Sequence, residues 1–211
     1  MRYLVAIPCM DTVNTLTLKC LLNLKMPGET EISVTCSSLI YDARNLLAQK
    51  AVNEGFDRVL WLDSDMTFPP DLGMKLSEDL DQGYECMTGI YFKRKLPIKP
   101  VIYSGVYIEQ EEDGSSTPKA EAYEEYPQDQ IFDVAGMGFG GCMMSVDLIR
   151  RVRNQFGLPF SPILGFGEDL SFCLRASQIG TRMYCDSRVK LGHLGVFEVT
   201  ESMYLSRVEI E

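Results

Sequence analysis

The chain has 211 residues, of which 45% are apolar and 24% charged, proportions of a globular protein that exclude an intrinsically disordered one. Thirty acidic and twenty basic residues give a net charge of −10, which disfavours nonspecific binding to nucleic acid because the summed field repels phosphate. No apolar run reaches the roughly 20 residues that cross a bilayer, and residues 1–8 are too short for an export signal. We therefore expect a cytoplasmic protein with no transmembrane segment.

Strands and helices are predicted to alternate in the first ninety residues. Hydrophobic periodicity predicts strands at 3–7, 31–36, 58–62 and 86–91, and helices from Asp11 or Thr12 to about residue 24, over 42–54 and over 71–80. The strand at 58–62 (RVLWL) has almost no polar residue, as expected for a strand buried on both faces of a parallel sheet. This order implies right-handed crossovers and a doubly wound α/β sheet.

The second half is predicted to cap and complete this sheet. It has a β segment at 100–108, an acidic loop at 109–118, a flexible glycine-rich segment at 136–141, a strand at 142–146, helices from Asp147 and over 168–179, and two short β segments ending at His193. The acidic residues after His193 are interpreted as solvated surface or as a closing lid. We see no linker, so we expect a single domain.

Two carboxylates follow the apolar strand in the sequence VLWLDSDM at 59–66. Asp63 and Asp65 are thereby predicted at the carboxyl edge of a parallel sheet, where open α/β folds bind ligands. Two such oxygen ligands suit Mg²⁺ or Mn²⁺, which would bridge a diphosphate and neutralise its charge. Alternatively, Asp63 and Ser64 only end the strand and cap the next turn.

Three other motifs each have a structural and a functional interpretation. Glu168 and Asp169 open a helix, where acids satisfy free N–H groups, or one of them is a general base for an acceptor hydroxyl. The sole histidine, His193, ends a β segment and is either structural or a metal ligand. Arg44 is either a solvated helix residue or the partner of a phosphate or of the two aspartates.

A basic loop contrasts with the acidic charge of the whole chain. It contains Lys93, Arg94, Lys95 and Lys99, directly after the strand predicted at 86–91. Such a run is usually solvated, but at the ligand edge of the sheet it would also attract an anionic donor or acceptor.

Taken in order, these motifs resemble the family-two nucleotide-sugar glycosyltransferases of the GT-A fold. The resemblance rests on the apolar strand ending at Pro8, ARN at 43–45, LDSDM at 62–66, the glycine-rich segment before Cys142, GEDLSFCLRASQIG at 167–180, and His193. It extends over nearly the whole chain. The compact length and the segment YFKRKLPIKP are also similar to small stand-alone members from bacterial and phage genomes.

The resemblance implies a single GT-A domain over residues 1–211, with a Rossmann-like, doubly wound mixed sheet. Residues 1–92 would form the nucleotide-binding half, 93–195 the acceptor-side half, and 196–211 an acidic tail. The implied activity is metal-dependent hexosyl or N-acetylhexosaminyl transfer from a UDP- or GDP-sugar to an unidentified acceptor hydroxyl, with inversion.

The resemblance also implies a role for individual residues. Asp65, Asp63 and His193 would bind Mn²⁺ or Mg²⁺, and Asp169, with Glu168 as the second choice, would deprotonate the acceptor. The residues expected against the donor are Pro8, Asp11, Arg44, Asp63 and Ser64.

Two departures from the family pattern leave the nucleotide base open, that is, UDP, GDP or another nucleotide. Cys-Met-Asp at 9–11 replaces the usual polar run, and Ser-Ser-Leu-Ile at 37–40 replaces the acidic pair that reads uracil. A sugar nucleotidyltransferase is one alternative, but it needs a glycine-rich phosphate loop that residues 8–11 do not supply. A non-catalytic nucleotide- or carbohydrate-binding module on the same scaffold is the other.

Overall fold

The computed structural model of the protein describes residues 1–195 and 198–206. It contains strands and helices in the order expected of an α/β fold. The strands are β1 (Arg2–Cys9), β2 (Glu29–Cys36), β3 (Arg58–Leu62), β4 (Met66–Thr67), β5 (Cys86–Ile90), β6 (Ile102–Gln110), β7 (Ser116–Ala122), β8 (Ile131–Val134), β9 (Gly136–Met137), β10 (Gly141–Ser145), β11 (Met183–Lys190), β12 (Gly192–Leu194) and β13 (Glu198–Val199). The helices are α1 (Thr15–Leu21), α2 (Ile40–Asn53), α3 (Leu72–Asp81), α4 (Val146–Phe156), α5 (Glu168–Gln178) and α6 (Glu201–Ser206).

Seven strands form the central sheet in the order β2-β1-β3-β10-β5-β11-β8. β1 is parallel to β2 and β3, whereas β10 is antiparallel to both β3 and β5. β11 is parallel to β5, and β8 closes the sheet as an antiparallel edge strand. Every residue of β3 and β5 is buried, as expected for central strands that are covered on both faces.

A hydrophobic core lies on each face of this sheet. Leu4 and Ala6 of β1 point to the face covered by α2, α4 and α5, whereas Tyr3, Val5 and Ile7 point to the face covered by α1 and α3. The alternation of one strand between two cores fixes its register, because a shift of one residue would exchange the two sets.

A small second sheet brings the end of the chain back to the residues after β3. Its strands are ordered β13-β12-β4, and His193 in β12 is paired with Met66 in β4. The histidine therefore lies beside Asp65, the residue that precedes β4.

Three predicted elements differ from the structure, and the first is the start of α1. The side chain of Asn14, rather than Asp11 or Thr12, caps this helix by accepting a 2.9 Å hydrogen bond from the backbone N–H of Leu16. The backbone N–H of Asn14 also donates to the carbonyl of Ser64 at 2.8 Å. This bond ties the segment after β1 to the segment after β3.

The second difference is the predicted acidic loop at 109–118, half of which belongs to the two strands of a hairpin. β6 runs through Gln110 and pairs antiparallel with β7, so that only residues 111–115 form the turn. Gly114 supplies the positive φ of +82° that this turn needs. An ion pair of 3.0 Å between Lys119 and Glu109 offsets charge repulsion across the strands.

The third difference is the glycine-rich segment at 136–141, which is buried rather than flexible. A Cβ on Gly138 would lie 2.0 Å from the hydroxyl oxygen of Tyr91, and one on Gly141 would lie 2.2 Å from Cδ1 of Leu191. These glycines are required because neighbouring side chains fill the space that their own side chains would occupy.

The acidic tail is in part packed against the core rather than plain solvated surface. Glu201 in α6 accepts a 2.5 Å hydrogen bond from the hydroxyl of Tyr126 and pairs at 2.5 Å with Lys190. Tyr204 stacks on Phe92 with 4.6 Å between the ring centroids. Glu209 and Glu211 lie outside the described residues. Among residues 1–195 and 198–206, no helix has the length and apolarity needed to cross a bilayer.

Candidate functional site

A cavity of about 570 Å³ opens at the carboxyl edge of the central sheet. Eight of the nine predicted site residues line it: Pro8, Asp11, Arg44, Asp63, Ser64, Asp65, Glu168 and His193. The remaining lining residues are Cys9, Met10, Thr12, Asn14, Ile40 and Arg94. The ninth predicted residue, Asp169, follows Glu168 in α5 but does not line the cavity itself.

Five separate segments of the fold bring these side chains together. They are the end of β1, the first turns of α2, the segment between β3 and β4, the first turn of α5, and β12. Parallel strands all end at one edge of a sheet, so their following loops converge there. The motifs recognised one by one in the sequence therefore belong to one site.

Arg44 is the buried centre of one side of the cavity. Its side chain is only 2% exposed, and it donates from Nη2 to Oδ1 of Asp63 at 2.6 Å and from Nε to Oε1 of Glu168 at 3.0 Å. The guanidinium carbon also lies 5.5 Å from the ring centroid of Trp61 and 5.8 Å from that of Phe139. The interpretation of Arg44 as a solvated helix residue is thus wrong. Its predicted contact with the two aspartates is found for Asp63 only, since Asp65 is paired with Arg94, and contact with a phosphate stays a prediction.

The electrostatics of this buried arginine follow from its partners. Burial alone would lower the pKa of Arg44, but Asp63 and Glu168 more than compensate and hold that pKa well above its ordinary value. The arginine therefore stays charged. It fixes one oxygen of Asp63 and one of Glu168, and their second carboxylate oxygens are not engaged by it.

Asp65 is the centre of a second group of charged side chains that line the cavity. Its Oδ2 is 3.6 Å from Nε2 of His193 and also accepts a hydrogen bond from Nη1 of Arg94. Burial would raise the pKa of Asp65, but His193 and Arg94 outweigh it and lower that pKa below its ordinary value. The carboxylate is therefore ionised in the neutral pH range.

The orientation of His193 is set by the backbone. Nδ1 of its ring is 2.9 Å from the carbonyl oxygen of Phe92. A carbonyl only accepts, so Nδ1 carries a proton and Nε2 is the atom directed at Asp65. Burial lowers the pKa of His193, but the nearby Asp65 carboxylate and the hydrogen bond with the Phe92 carbonyl raise that pKa by more, for a net increase.

The group around Asp65 contains part of a metal-binding set. In the described part of the chain, no three His, Cys, Asp or Glu side chains are grouped closely enough to hold a metal ion. Asp65 and His193 nevertheless offer one carboxylate oxygen and one imidazole nitrogen on the same side of the cavity, and the Arg94 guanidinium already occupies a cation position against Asp65. This donor chemistry fits Mn²⁺ or Mg²⁺ provided that a bound ligand supplies further oxygens.

Asp169 is partly buried at the start of α5, and its Oδ1 accepts a 2.7 Å hydrogen bond from the backbone N–H of Leu170. Burial and the neighbouring charge of Glu168 raise the pKa of Asp169 to about 6. A carboxylate with such a pKa is ionised at neutral pH and is still basic enough to accept a proton.

Sequence reasoning missed Tyr91 as a part of the site. Its buried hydroxyl accepts a 3.1 Å hydrogen bond from the N–H of Gly140, and its ring lies edge-to-face with the ring of His193 at 5.7 Å. Burial, and to a smaller extent the charges of Asp63 and Asp169, raise the pKa of Tyr91 well above its ordinary value, so this hydroxyl stays protonated. The glycine run at 136–141 was the available signal, because it indicates a large side chain packed closely against the backbone.

Comparisons with known proteins support the fold. No protein-family model matches the sequence, and no curated protein matches it. A197 from STIV, a solved structure, is 20% identical with a TM-score of 0.65, covering 92% of this chain and 86% of its own.

Two further solved structures are more distant. GalNAc-T7, solved with UDP, GalNAc and Mn²⁺, is 11% identical with a TM-score of 0.51, covering 90% of this chain and 37% of its own. S. aureus TarS 1-349 is 13% identical with a TM-score of 0.52, covering 89% of this chain and 58% of its own. This chain therefore corresponds to only part of these two structures.

At these identities the likeness establishes the fold and not the activity. The predicted α/β fold of the GT-A type, with a large mixed central sheet in a single domain, is confirmed.

Proposed function

We propose that the protein is a metal-dependent glycosyltransferase that moves a sugar from a nucleoside-diphosphate sugar to an acceptor hydroxyl. The observation that carries this proposal is that one cavity is lined by Asp63, Asp65, Glu168 and His193, and that Asp169 follows Glu168 in the first turn of α5. The GT-A type fold supports the same reading, as does the presence of UDP, GalNAc and Mn²⁺ in GalNAc-T7.

The donor would lie along the cavity, between its two arginines. Pro8, Asp11 and Ser64 would contact the nucleoside, and Asp63, oriented by Arg44, would contact the ribose or the metal. Asp65 and His193 would hold Mn²⁺ or Mg²⁺. When bound, the metal would supply Lewis-acid stabilisation of the departing diphosphate.

Asp169 is the better candidate for the general base, because no cation within residues 1–195 and 198–206 forms an ion pair with it, whereas Glu168 is bound to Arg44. Its carboxylate would take the proton of the acceptor hydroxyl as that oxygen attacks the anomeric carbon and the bond to the diphosphate breaks. Direct attack of this kind inverts the anomeric configuration. Residues 1–92 as the nucleotide-binding half, 93–195 as the acceptor-side half, and the cytoplasmic location are further parts of the proposal.

A thermal-shift panel of nucleoside diphosphates with and without Mn²⁺ tests the donor site. We expect UDP or GDP to raise Tm together with Mn²⁺, because a ligand selective for the folded state stabilises it. Asp65→Asn is expected to abolish the part of this Tm increase that depends on Mn²⁺, because an amide is a poorer ligand for a hard cation. Asp113→Asn, on the exposed hairpin turn, is the matched control.

If no nucleoside diphosphate with metal changes Tm, the protein has no donor site of this kind. Turnover of a UDP- or GDP-sugar by the protein separates an enzyme from a non-catalytic binding module. Release of pyrophosphate from a nucleoside triphosphate and a sugar phosphate would instead identify a nucleotidyltransferase.

A further inference from the structure

Arg94 makes a contact that a metal-binding site would have to give up. Its Nη1 donates both to Oδ2 of Asp65 and, at 3.1 Å, to the carbonyl oxygen of Leu194. The same Oδ2 faces Nε2 of His193 at 3.6 Å. The guanidinium thus competes for the carboxylate oxygen that a cation shared by Asp65 and His193 would use.

The side chain of Arg94 is free to leave this position. It is 48% exposed and belongs to the loop at 93–99, of which Arg94 lines the cavity. A hydrogen bond of 2.8 Å from the N–H of Lys93 to the carbonyl of Lys99 closes the base of this loop, and a β-bridge joins Phe92 to Pro100. Rotation about side-chain bonds is therefore enough to move the guanidinium, while the loop backbone stays in place.

We propose that Arg94 is the counter-ion of Asp65 in the free protein and a ligand of the donor diphosphate in the complex. Arg94 and the metal then exchange at Asp65. This inference rests on the proposed function. Once displaced from Asp65, the guanidinium remains at the cavity, where the diphosphate offers paired oxygens of the geometry that arginine binds best.

The exchange couples the two ligands. Metal alone must displace Arg94 and is therefore bound weakly. A nucleoside diphosphate gives Arg94 a new partner and so raises the affinity for metal, and by reciprocity the metal raises the affinity for the nucleotide to the same extent.

Mn²⁺ titrations followed by electron paramagnetic resonance, and UDP and GDP titrations at saturating Mn²⁺ followed by calorimetry, test this exchange in the full chain. Arg94→Ala is expected to tighten Mn²⁺ binding without nucleotide by roughly two- to fivefold, as for loss of a partly exposed competing ion pair. The same variant is expected to weaken nucleotide binding about tenfold, as for loss of a charge-assisted hydrogen bond.

Two further variants make the result specific to the Arg94 guanidinium. Arg94→Gln removes the charge with less change in size and should behave like Arg94→Ala. Lys95→Ala makes the same change of net charge in the same exposed loop and should leave both affinities unchanged. The expected result is therefore that Arg94→Ala binds Mn²⁺ more tightly and the nucleotide more weakly. Lys95→Ala should show neither change.

Unchanged affinities in both Arg94 variants would overturn the exchange, and so would equal effects in Lys95→Ala, which would indicate only the long-range charge of the loop. In either case, metal-dependent nucleotide binding by the wild type and its loss in Asp65→Asn would leave the proposed function intact. A wild-type protein that binds no nucleoside diphosphate with Mn²⁺ would overturn the proposed function and this inference together.

Discussion

Two arginines bind the two aspartates of one Asp-Ser-Asp segment in opposite ways. Arg44 is 2% exposed and holds Asp63 from inside the protein, together with Glu168 and two aromatic rings. Arg94 is 48% exposed and holds Asp65 from the solvent side. A buried ion pair cannot lose a partner without leaving an unpaired charge, whereas an exposed pair exchanges its partner for water or a ligand at little cost.

The difference assigns a separate task to each aspartate. On the Arg44 side the charges are fixed, so that side suits positioning and proton transfer. On the Arg94 side the contact is replaceable, so that side suits the binding and release of ligands. The predictions below test this division, beginning with the largest expected effect.

Asp169→Asn is expected to lower turnover by roughly two to four orders of magnitude while nucleotide binding with Mn²⁺ stays unchanged, because the variant loses only the proton acceptor. In the wild type, turnover should fall as the pH drops through about 6, where Asp169 becomes protonated. Steady-state kinetics against pH and calorimetric nucleotide titrations check both parts. Wild-type turnover in the variant would show that Asp169 is not the base.

Arg44→Ala is expected to lower the free energy of unfolding by about 3–5 kcal/mol, because Asp63 and Glu168 lose their shared buried partner. Urea unfolding followed by circular dichroism measures the change. Arg44→Lys retains the charge but cannot donate to both carboxylates in the same geometry, so its decrease in the free energy of unfolding should be intermediate. A loss as small as that of an exposed arginine would contradict the role of Arg44 as a buried centre.

Asp169→Asn is also expected to stabilise the fold at high pH. Burial holds the folded-state pKa of Asp169 at about 6, above its value in the unfolded chain, so ionisation of this carboxyl costs stability as the pH rises through about 6. The variant should therefore gain a few degrees in Tm over the wild type at pH 8 and roughly none at pH 4. An equal difference at both pH values would rule out this linkage.

Arg94→Ala is expected to change the free energy of unfolding by less than about 1 kcal/mol, and by less still at high salt, because its ion pair with Asp65 is partly exposed and screened. The same urea titration, repeated at low and high salt, measures this change. A decrease in the free energy of unfolding as large as that of Arg44→Ala would show that the Arg94 and Arg44 ion pairs do not differ in the way described.

The strands of the sheet that pack on both faces were the most predictable part of the fold. The apolar run RVLWL has no face to present to solvent, so its burial and its place near the centre of a sheet followed from composition. The insertion of β10, antiparallel, between β3 and β5 was not predictable, because pairing between Cys142 and Trp61 depends on tertiary packing. The second strand of the exposed hairpin was missed because its sequence, STPKAEA, contains a proline and has no large apolar residue to mark a buried face.

In the site, the sequence indicated which residues carry chemistry but not how they pair. Arg44 and Glu168 were each recognisable at the start of a helix, yet their contact spans 124 positions and is decided by the packing of α2 against the sheet edge. Tyr91 gave no signal of its own, since an aromatic residue at the end of an apolar strand is usually core. Whether Asp63 binds metal stays a prediction.

Phe92 connects the cavity to the last described helix. Its carbonyl oxygen orients the imidazole of His193, and its ring is stacked against Tyr204 of α6. Removing residue 201 and those that follow it would expose part of the Phe92 ring. The backbone carbonyl of Phe92, which orients the histidine, would then be held less firmly. For the proposed metal site, this predicts that Mn²⁺ binds more weakly to the shortened protein, through Phe92, which contacts the histidine and not the ion.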